Sequence, residues 1–505
     1  MPDPSAPPTT APAATAEHLK SNSLTAPGIA FLVVAAAAPL TVMAGVAPLA
    51  VLVGGLGAPV GYLGAGAVLL LFAVGFMAMT RHTGGAGAFY SYVTLGLGRP
   101  AGMAAGVLAV VAYNSLQIGV YGLLGVQTAD ALATLTGIVV PWWACVFAAI
   151  AIVWWVGRRG IDVGARILGV LLVAETAILA LLVVAVVVQG GDHGLSATSF
   201  TPSAVFAPGM AGVLAFAFAA FMGFESTALY RPEARDPERT IPRATYGAVI
   251  FMMLFYCLVV WAIIQAYGDD GVLAAAADDP ANMFFVAIER YVGPWASDVM
   301  YLLIVTSVLA SQIAFHNAIT RYTFNLARDG LLPARLAHTH PRFGSPAAAG
   351  NAQTVLAFAV VAGFAIAGAD PYVDLLLKVN SPGVVGIIAL QALTSVAVVV
   401  YFVRRRHTVH ARTATACAAL AALLLCAACV ILVTHIDLLT NATLVTNVVL
   451  VGIVPATFAA GVVGALILKR SRPAVYAAIG GLHPEDGHIP PPEPADSQDE
   501  RSVNR

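Results

Sequence analysis

The chain has 505 residues, of which 59% are hydrophobic and only 10% are charged. Soluble domains usually carry about 25% charged residues, so this composition excludes an ordinary soluble protein and predicts an all-α protein that crosses a membrane many times. The formal net charge of -1, with no basic stripe along the chain, argues against nucleic-acid binding.

The two ends of the chain are predicted to be disordered tails. Residues 1–26 are rich in Ala, Pro, Thr and Ser, and they lack the charged and apolar regions of a cleaved signal peptide. Residues 471–505 are rich in Pro and in acidic residues, a composition that cannot bury enough apolar surface to fold alone.

Between the tails, twelve membrane spans are predicted, each a charge-poor run near the roughly 20 residues that cross a bilayer. In chain order they lie at residues 29–53, 60–79, 100–124, 141–157, 164–189, 209–230, 245–267, 295–321, 351–368, 382–403, 413–434 and 447–468. The five cysteines fall in or beside these runs without the companion residues of a metal site, so no metal and no cofactor are expected.

The basic residues set the predicted orientation. Of the 25 Lys and Arg residues, all but Arg290 and Lys378 fall on one side of the twelve-span arrangement. Lys and Arg favour the cytoplasmic side of a membrane, so both termini are predicted to be cytoplasmic and the protein to be a multi-pass protein of the plasma membrane.

Spans 1 and 6 are irregular. Span 1 carries Pro39 in mid-run and Gly45 shortly after it, and span 6 carries a run of small residues that ends at Gly223. Proline removes a backbone donor from a helix. Interrupted helices at corresponding positions, five spans apart, are typical of transporters built from inverted repeats, although a proline kink and a packing glycine are the simpler explanation of each alone.

Glu225 follows Gly223 by two residues. An ionisable residue inside a span is costly and suggests a functional site, whereas a glutamate at the end of a helix would already lie at the water surface. Both interpretations fit the sequence, because a burst of Arg, Pro and acidic residues comes next. In the first interpretation, Glu225 pairs with an arginine or a freed amide as a gate.

Three segments resemble the amino acid–polyamine–organocation (APC) superfamily. FMGFESTALYRPEARDPERTIPRA at residues 221–244 resembles the motif at that family's sixth span, TGGAGAFYSYV at 83–93 the segment after its second, and FHNAITRYTFNLARDGLLP at 315–333 the end of its eighth. The resemblance implies a leucine-transporter-like core at residues 27–403. Its two inverted five-helix repeats would lie at about 27–190 and 208–403, with two peripheral helices at 404–470.

The resemblance also implies a substrate site at the two helix breaks. The substrate carboxylate is expected at amides within residues 41–45, where this chain has Ala-Gly in place of the family's common Gly-Ser-Gly. The ammonium is expected at carbonyls around Pro39 and residues 219–222. The predicted backbone and side-chain set is Pro39, Thr41, Val42, Met43, Ala44, Gly45, Tyr113, Asn114, Phe216, Ala219, Ala220, Phe221, Met222, Gly223 and Gln312.

Two further residues are candidates for ion coupling. Glu175 lies in the middle of span 5, where a charged carboxylate is costly, so it is a candidate to bind and release a proton. The resemblance places it at about the position of a lysine in some proton-coupled members of the family. His316, near the end of span 8, is a candidate proton relay, and a structural histidine is the alternative.

The sequence therefore predicts a secondary active transporter, or permease, of amino acids or related amines. The resemblance implies uptake coupled to protons, or to sodium, with an obligate exchanger as the alternative. A membrane enzyme is disfavoured, because the spans show no cluster of His, Asp or Glu at a common depth. A polytopic receptor is disfavoured, because a soluble signalling domain is expected of a sensor and both tails are short and low in complexity. The substrate and the oligomeric state stay open.

Overall fold

A computed structural model describes residues 24–80, 87–159, 161–404 and 411–481 of the chain. Residues 1–23 of the predicted N-terminal tail (1–26), residues 482–505 of the predicted C-terminal tail (471–505) and residues 83–86 of the second motif lie outside this part. Within it, secondary structure is helical apart from one β-bridge between Leu24 and Ala234. The all-α, multi-pass class predicted from the composition is confirmed.

Nine helices precede the sixth span. They are α1 (Ala26–Ala37), α2 (Pro39–Gly45), α3 (Ala47–Gly54), α4 (Ala58–Thr80), α5 (Phe89–Leu97), α6 (Arg99–Thr136), α7 (Trp142–Arg158), α8 (Ile161–Gln189) and α9 (Pro202–Val205). Helices α1, α2 and α3 together make the first span, which is therefore not one continuous helix.

Ten helices complete the described part of the chain. They are α10 (Met210–Ala220), α11 (Pro237–Asp278), α12 (Met283–Tyr291), α13 (Pro294–Arg328), α14 (Ala347–Ile366), α15 (Ser381–Arg404), α16 (Ala411–Thr434), α17 (Ile436–Thr440), α18 (Leu444–Ser471) and α19 (Pro473–Ala478). A 3-10 helix, Phe224–Glu233, follows α10, and a π-helix, Pro371–Val379, precedes α15. Helix α19 falls within the predicted C-terminal tail.

Eleven helical stretches in the described part are long and apolar enough to cross a membrane. The predicted span at residues 141–157 corresponds to α7, an apolar helix of 17 residues. That length is at the short end of what spans a bilayer. The count of twelve spans and the two inverted repeats therefore stay predictions.

The helices divide into a buried centre and a periphery. Helices α1, α2 and α10 are almost entirely surrounded by other helices, whereas α16 and α18 leave most of their apolar surface uncovered. Leu423 and Val430 on α16, for example, are 68% and 62% exposed. Apolar surface left uncovered on a membrane protein faces lipid, so α16 and α18 lie at the periphery. The interrupted spans, which are covered by other helices, lie at the centre of the bundle.

Candidate functional site

The first span is interrupted at Ala38. Helix α1 ends at Ala37, Ala38 adopts a left-handed conformation with φ 47° and ψ 73°, and α2 begins at Pro39. Proline disfavours the helical conformation of the residue before it and supplies no N–H, which explains why the helix stops here. The break leaves the backbone groups at the end of α1 and the start of α2 without their regular partners.

The sixth span is interrupted at Gly223. Helix α10 ends at Ala220, and Gly223, with φ 109°, leads into the 3-10 helix. A side chain at this position would place its Cβ 2.7 Å from the Cβ of Ala36, at the end of α1. The two breaks are therefore in contact, and only glycine permits both the positive φ and the close approach.

A cavity of about 760 Å³, including the solvent space at its mouth, lies between the two breaks and five further elements. One wall is formed by the broken helices through Ala36–Ala38, Thr41 and Met222. The other wall comes from α6, α13, α15, α17 and the π-helix. The cavity is thus lined by residues of the two helix breaks on one side and by residues of intact helices and the π-helix on the other.

Glu225 is fully buried beside the second break. Its carboxylate accepts a hydrogen bond from the Tyr113 hydroxyl at 2.5 Å and from the Gly223 amide at 3.2 and 3.3 Å. The side chain of Gln391 is a further hydrogen-bonding neighbour. The alternative that Glu225 lies at the water surface is therefore wrong. Its carboxylate caps the freed amide of Gly223 and ties the break to α6.

Glu175 lies beside the first break and is 1% exposed. Its Oε2 accepts a hydrogen bond from the Leu40 amide at 3.4 Å, in the first turn of α2. Ser307 of α13 lies close to this carboxylate, and the Thr41 hydroxyl donates to Ser307 at 3.0 Å. The Oε1 of Glu175 has no hydrogen-bond partner among the described residues. This carboxylate therefore connects α8, α13 and the start of α2, with one oxygen uncommitted.

A buried ion pair lies at the face of the bundle where α1 begins. Arg321 of α13 donates two hydrogen bonds of 2.9 Å to the carboxylate of Glu233, and both side chains are 4% exposed. Leu24 bonds to the same segment, because its amide donates to the Glu233 carbonyl at 2.9 Å and its carbonyl accepts from the Arg235 amide at 2.8 Å. These contacts close this face beneath the cavity.

Some of the predicted binding residues line the cavity, and others are buried outside its wall. The cavity is lined by Thr41, Val42, Phe216, Ala219, Ala220 and Met222. Pro39, Met43 and Ala44 are buried in α2. Gly45 lines a second, smaller cavity with Gln127 and Asp130.

The remaining predicted residues lie outside the cavity wall. Tyr113 contacts Glu225, and Phe221 packs edge-on against Tyr256 with ring centroids 5.6 Å apart. The Asn114 amide donates to the Val110 carbonyl of its own helix at 2.8 Å. Gln312 and Gln117 exchange hydrogen bonds of 3.1 and 3.2 Å between α13 and α6.

His316 is buried on the far side of α13 from the cavity. Its ring lies against Gly157 of α7 and Gly350 of α14, where an added Cβ would approach the ring to 2.8 and 3.3 Å. This contact supports the structural interpretation of the histidine, because the close approach of two glycines packs the ring between helices.

Two residues that shape the cavity were not predicted from the sequence. Ser311 lines it and donates to the Ala36 carbonyl at 2.9 Å, and Asn380 lines the opposite wall. Ser307 and Ser311 are four residues apart and share one face of α13, a spacing that the sequence does display. Asn380 follows the π-helix, and no local pattern marks it.

The chain matches the family model described as "Amino acid permease" over residues 27–458. It is 36% identical over 136 residues to an uncharacterized transporter of Mycobacterium tuberculosis, a match covering 27% of this chain and 29% of that protein. It is 26% identical to the low-affinity putrescine importer PlaP of Escherichia coli over 302 residues, covering 57% of this chain and 63% of PlaP. The chain thus spans less than two thirds of the length of these relatives.

Two other likenesses point the same way. The chain is 31% identical over 149 residues to the lysine-specific permease LysP of Lactococcus lactis, covering 28% of each. A crystal structure of a mutant manganese transporter of Eremococcus coleocola superposes with a TM-score of 0.55 at 11% identity, covering 90% of this chain and 99% of that one. The second likeness concerns the fold alone. The resemblance stated from the sequence motifs is confirmed.

Proposed function

Since the chain belongs to the amino acid permease family, we propose that it is a secondary transporter that moves amino acids or related amines across the plasma membrane by alternating access. The observation that carries this proposal is the cavity between two interrupted helices at the centre of a multi-pass bundle. Backbone polar groups at membrane depth are tolerated where they line a cavity, and there they bind the charged ends of a substrate.

The two ends of the substrate are assigned to different sides of the first break. The amides of the first turn of α2 have no partner within the helix, and Thr41, which carries one of them, lines the cavity. We assign the substrate carboxylate to Thr41, because from Val42 onward the amides bond within α2, beginning with Val42 to the Ala38 carbonyl at 2.9 Å. The ammonium is assigned to the carbonyls of Ala36 and Ala219.

The ion pair Arg321–Glu233 supports an outward-facing conformation. The cavity reaches Leu376 of the π-helix and Leu439 of α17, both on the opposite face from this pair. With the termini cytoplasmic, the closed face is the inner one. Opening inward then requires breaking a buried bidentate pair, which makes Arg321 and Glu233 the inner gate.

Proton coupling is assigned to Glu175. Its carboxylate contacts the first turn of α2 through Leu40, and Leu40 adjoins Thr41, which we assign to the substrate. Adding a proton to the uncommitted oxygen removes a buried charge beside the substrate carboxylate. Substrate binding and proton binding therefore act on the same turn of helix, which is what coupling between two sites requires.

The test uses purified protein in proteoliposomes with a panel of labelled amino acids and polyamines, with and without a pH gradient. The wild type is expected to concentrate at least one substrate when the outside is acidic. Glu175→Gln keeps the hydrogen-bond acceptor for Leu40 but cannot release a proton, so it should retain exchange and lose accumulation driven by the gradient.

Three outcomes are informative. A Glu175→Gln variant that still concentrates substrate with the pH dependence of the wild type would contradict the assignment to Glu175. Transport that requires substrate on both sides in the wild type would favour the exchanger. Absence of both binding and transport across the whole panel would contradict the proposed function.

A further inference from the structure

The second wall of the cavity is apolar. It is formed by Leu116 and Val120 of α6, Leu376 of the π-helix, Val384 of α15 and Leu439 of α17. Of the described residues that line the cavity, none is charged, and the polar side chains are Thr41, Ser311 and Asn380. The two buried carboxylates, Glu175 and Glu225, lie behind the breaks and are absent from the lining.

We propose that the cavity selects neutral amino acids with an apolar side chain, with Asn380 as the polar residue that limits the side chains it accepts. This inference rests on the proposed function and names its substrate class. The backbone at the breaks supplies partners for one ammonium and one carboxylate, so any further charge on the substrate must be met by the second wall. That wall offers two polar side chains: Ser311, whose hydroxyl already donates to the Ala36 carbonyl, and Asn380, whose buried Oδ1 has no hydrogen-bond partner among the described residues.

A second ammonium would therefore be held without a counter-charge. Moving an unpaired charge out of water weakens binding strongly, whereas burial of a methylene group strengthens binding by about fourfold. Lysine and putrescine each bring a second ammonium, and glutamate brings a second carboxylate. The apolar wall favours a substrate of leucine or phenylalanine type over all three.

One feature of the molecule supports the opposite outcome. Leu123 lines both the main cavity and the smaller one that contains Asp130 and Tyr372. A long cationic side chain that passed Leu123 would reach a carboxylate and an aromatic ring. In this conformation the side chain of Leu123 lies between the two cavities and separates Asp130 from the main one. We therefore expect the apolar wall to determine the selectivity. A variant of Asp130 tests this expectation.

The experiment compares norleucine with lysine, which differ by the terminal ammonium, as ligands of the wild-type protein in nanodiscs. Norleucine is expected to bind at least tenfold more tightly than lysine, and affinity should rise by about fourfold per methylene from alanine to norvaline. Equal or tighter binding of lysine, lost in Asp130→Asn, would overturn the proposal and leave a transporter of cations. Binding of amines but of no amino acid would overturn this proposal, and binding of neither would refute the proposed function itself.

A charge variant tests the role of Asn380. Asn380→Asp places a carboxylate on the apolar wall with little change in shape, so norleucine affinity should fall by roughly tenfold while lysine affinity rises. The control is Asn351→Asp, an exposed position on α14 whose side-chain oxygen still accepts from Trp154 Nε1. If both variants shift affinity alike, or Asn380→Asp shifts neither ligand, the assignment to Asn380 is wrong. The norleucine–lysine comparison requires no variant, so it holds even where Asn380→Asp does not fold.

Discussion

The two interrupted spans differ in how their freed backbone groups are stabilised. At the first break, Ala38 adopts a left-handed conformation and the capping carboxylate, Glu175, comes from a distant helix with one oxygen uncommitted. At the second break, Gly223 adopts the left-handed conformation, and both carboxylate oxygens of Glu225, two residues later, accept a hydrogen bond from the Gly223 amide. A carboxylate whose two oxygens both accept hydrogen bonds is held in place more firmly than one that has an oxygen without a partner. The second break is therefore the rigid one.

The largest expected effect is at Gly223. Gly223→Val combines a β-branched side chain with φ 109° and a Cβ 2.7 Å from Ala36, so it should abolish substrate binding by separating the two breaks. Direct binding to purified protein measures this. Gly247→Val on α11, where no atom lies within 4 Å of an added Cβ, should bind normally. Unchanged affinity in Gly223→Val would move the site elsewhere.

Replacing each carboxylate by an amide separates the two roles. In Glu225→Gln an NH2 group must face either Tyr113 or Gly223, so the free energy of unfolding should fall by about 1–3 kcal/mol. In Glu175→Gln the NH2 can occupy the uncommitted position, and the change should be below about 0.5 kcal/mol. Denaturant unfolding in detergent measures both. Equal losses would contradict the distinction between the two breaks.

Ala38 offers a change in the opposite direction. A non-glycine residue in the left-handed region is strained by about 1 kcal/mol, so Ala38→Gly should stabilise the folded protein by up to that amount. Thermal unfolding compares it with Ala37→Gly, which lies in the last turn of α1 and should destabilise. Destabilisation by Ala38→Gly would show that the first break does not hold the strained conformation.

The smallest effect concerns Asp192, in the turn that follows α8. A hydrogen bond from Arg290 lowers the pKa of this carboxyl below its ordinary value of 3.8. A lowered pKa means that the pair stabilises the fold above the unfolded pKa and that this contribution is lost as the pH falls through the folded pKa. Asp192→Asn should thus reduce the acid dependence of the melting temperature below about pH 4.

The same variant tests the assignment of coupling to Glu175, which is carried by α8. Transport driven by a pH gradient near neutral pH should be unchanged in Asp192→Asn, because that carboxyl stays ionised there. A loss of gradient-driven accumulation in this variant would show that the turn after α8, and not Glu175 alone, takes part in coupling.

Much of the fold could be predicted because its signals are local. The apolar runs mark the spans, the motifs at 221–244 and 315–333 mark the family, and Pro39 marks the first interruption. These features depend on the hydropathy of a segment or on the backbone of one residue. Whether α7 crosses the membrane is not decided by its sequence, because an apolar helix of 17 residues fits a short span and a buried helix alike.

The sequence by itself determined where the helices break, since proline and glycine act on their own backbone. Only the tertiary structure decided which side chains meet at the breaks. Successive residues of a helix point about 100° apart, so Ser311 lines the cavity while the adjacent Gln312 bonds Gln117. The orientation of α13 about its axis makes that choice, and it is set by contacts with helices far away in the chain. For the same reason Glu175 could be recognised as buried from the sequence, but its contact with Leu40, 135 residues away, could not.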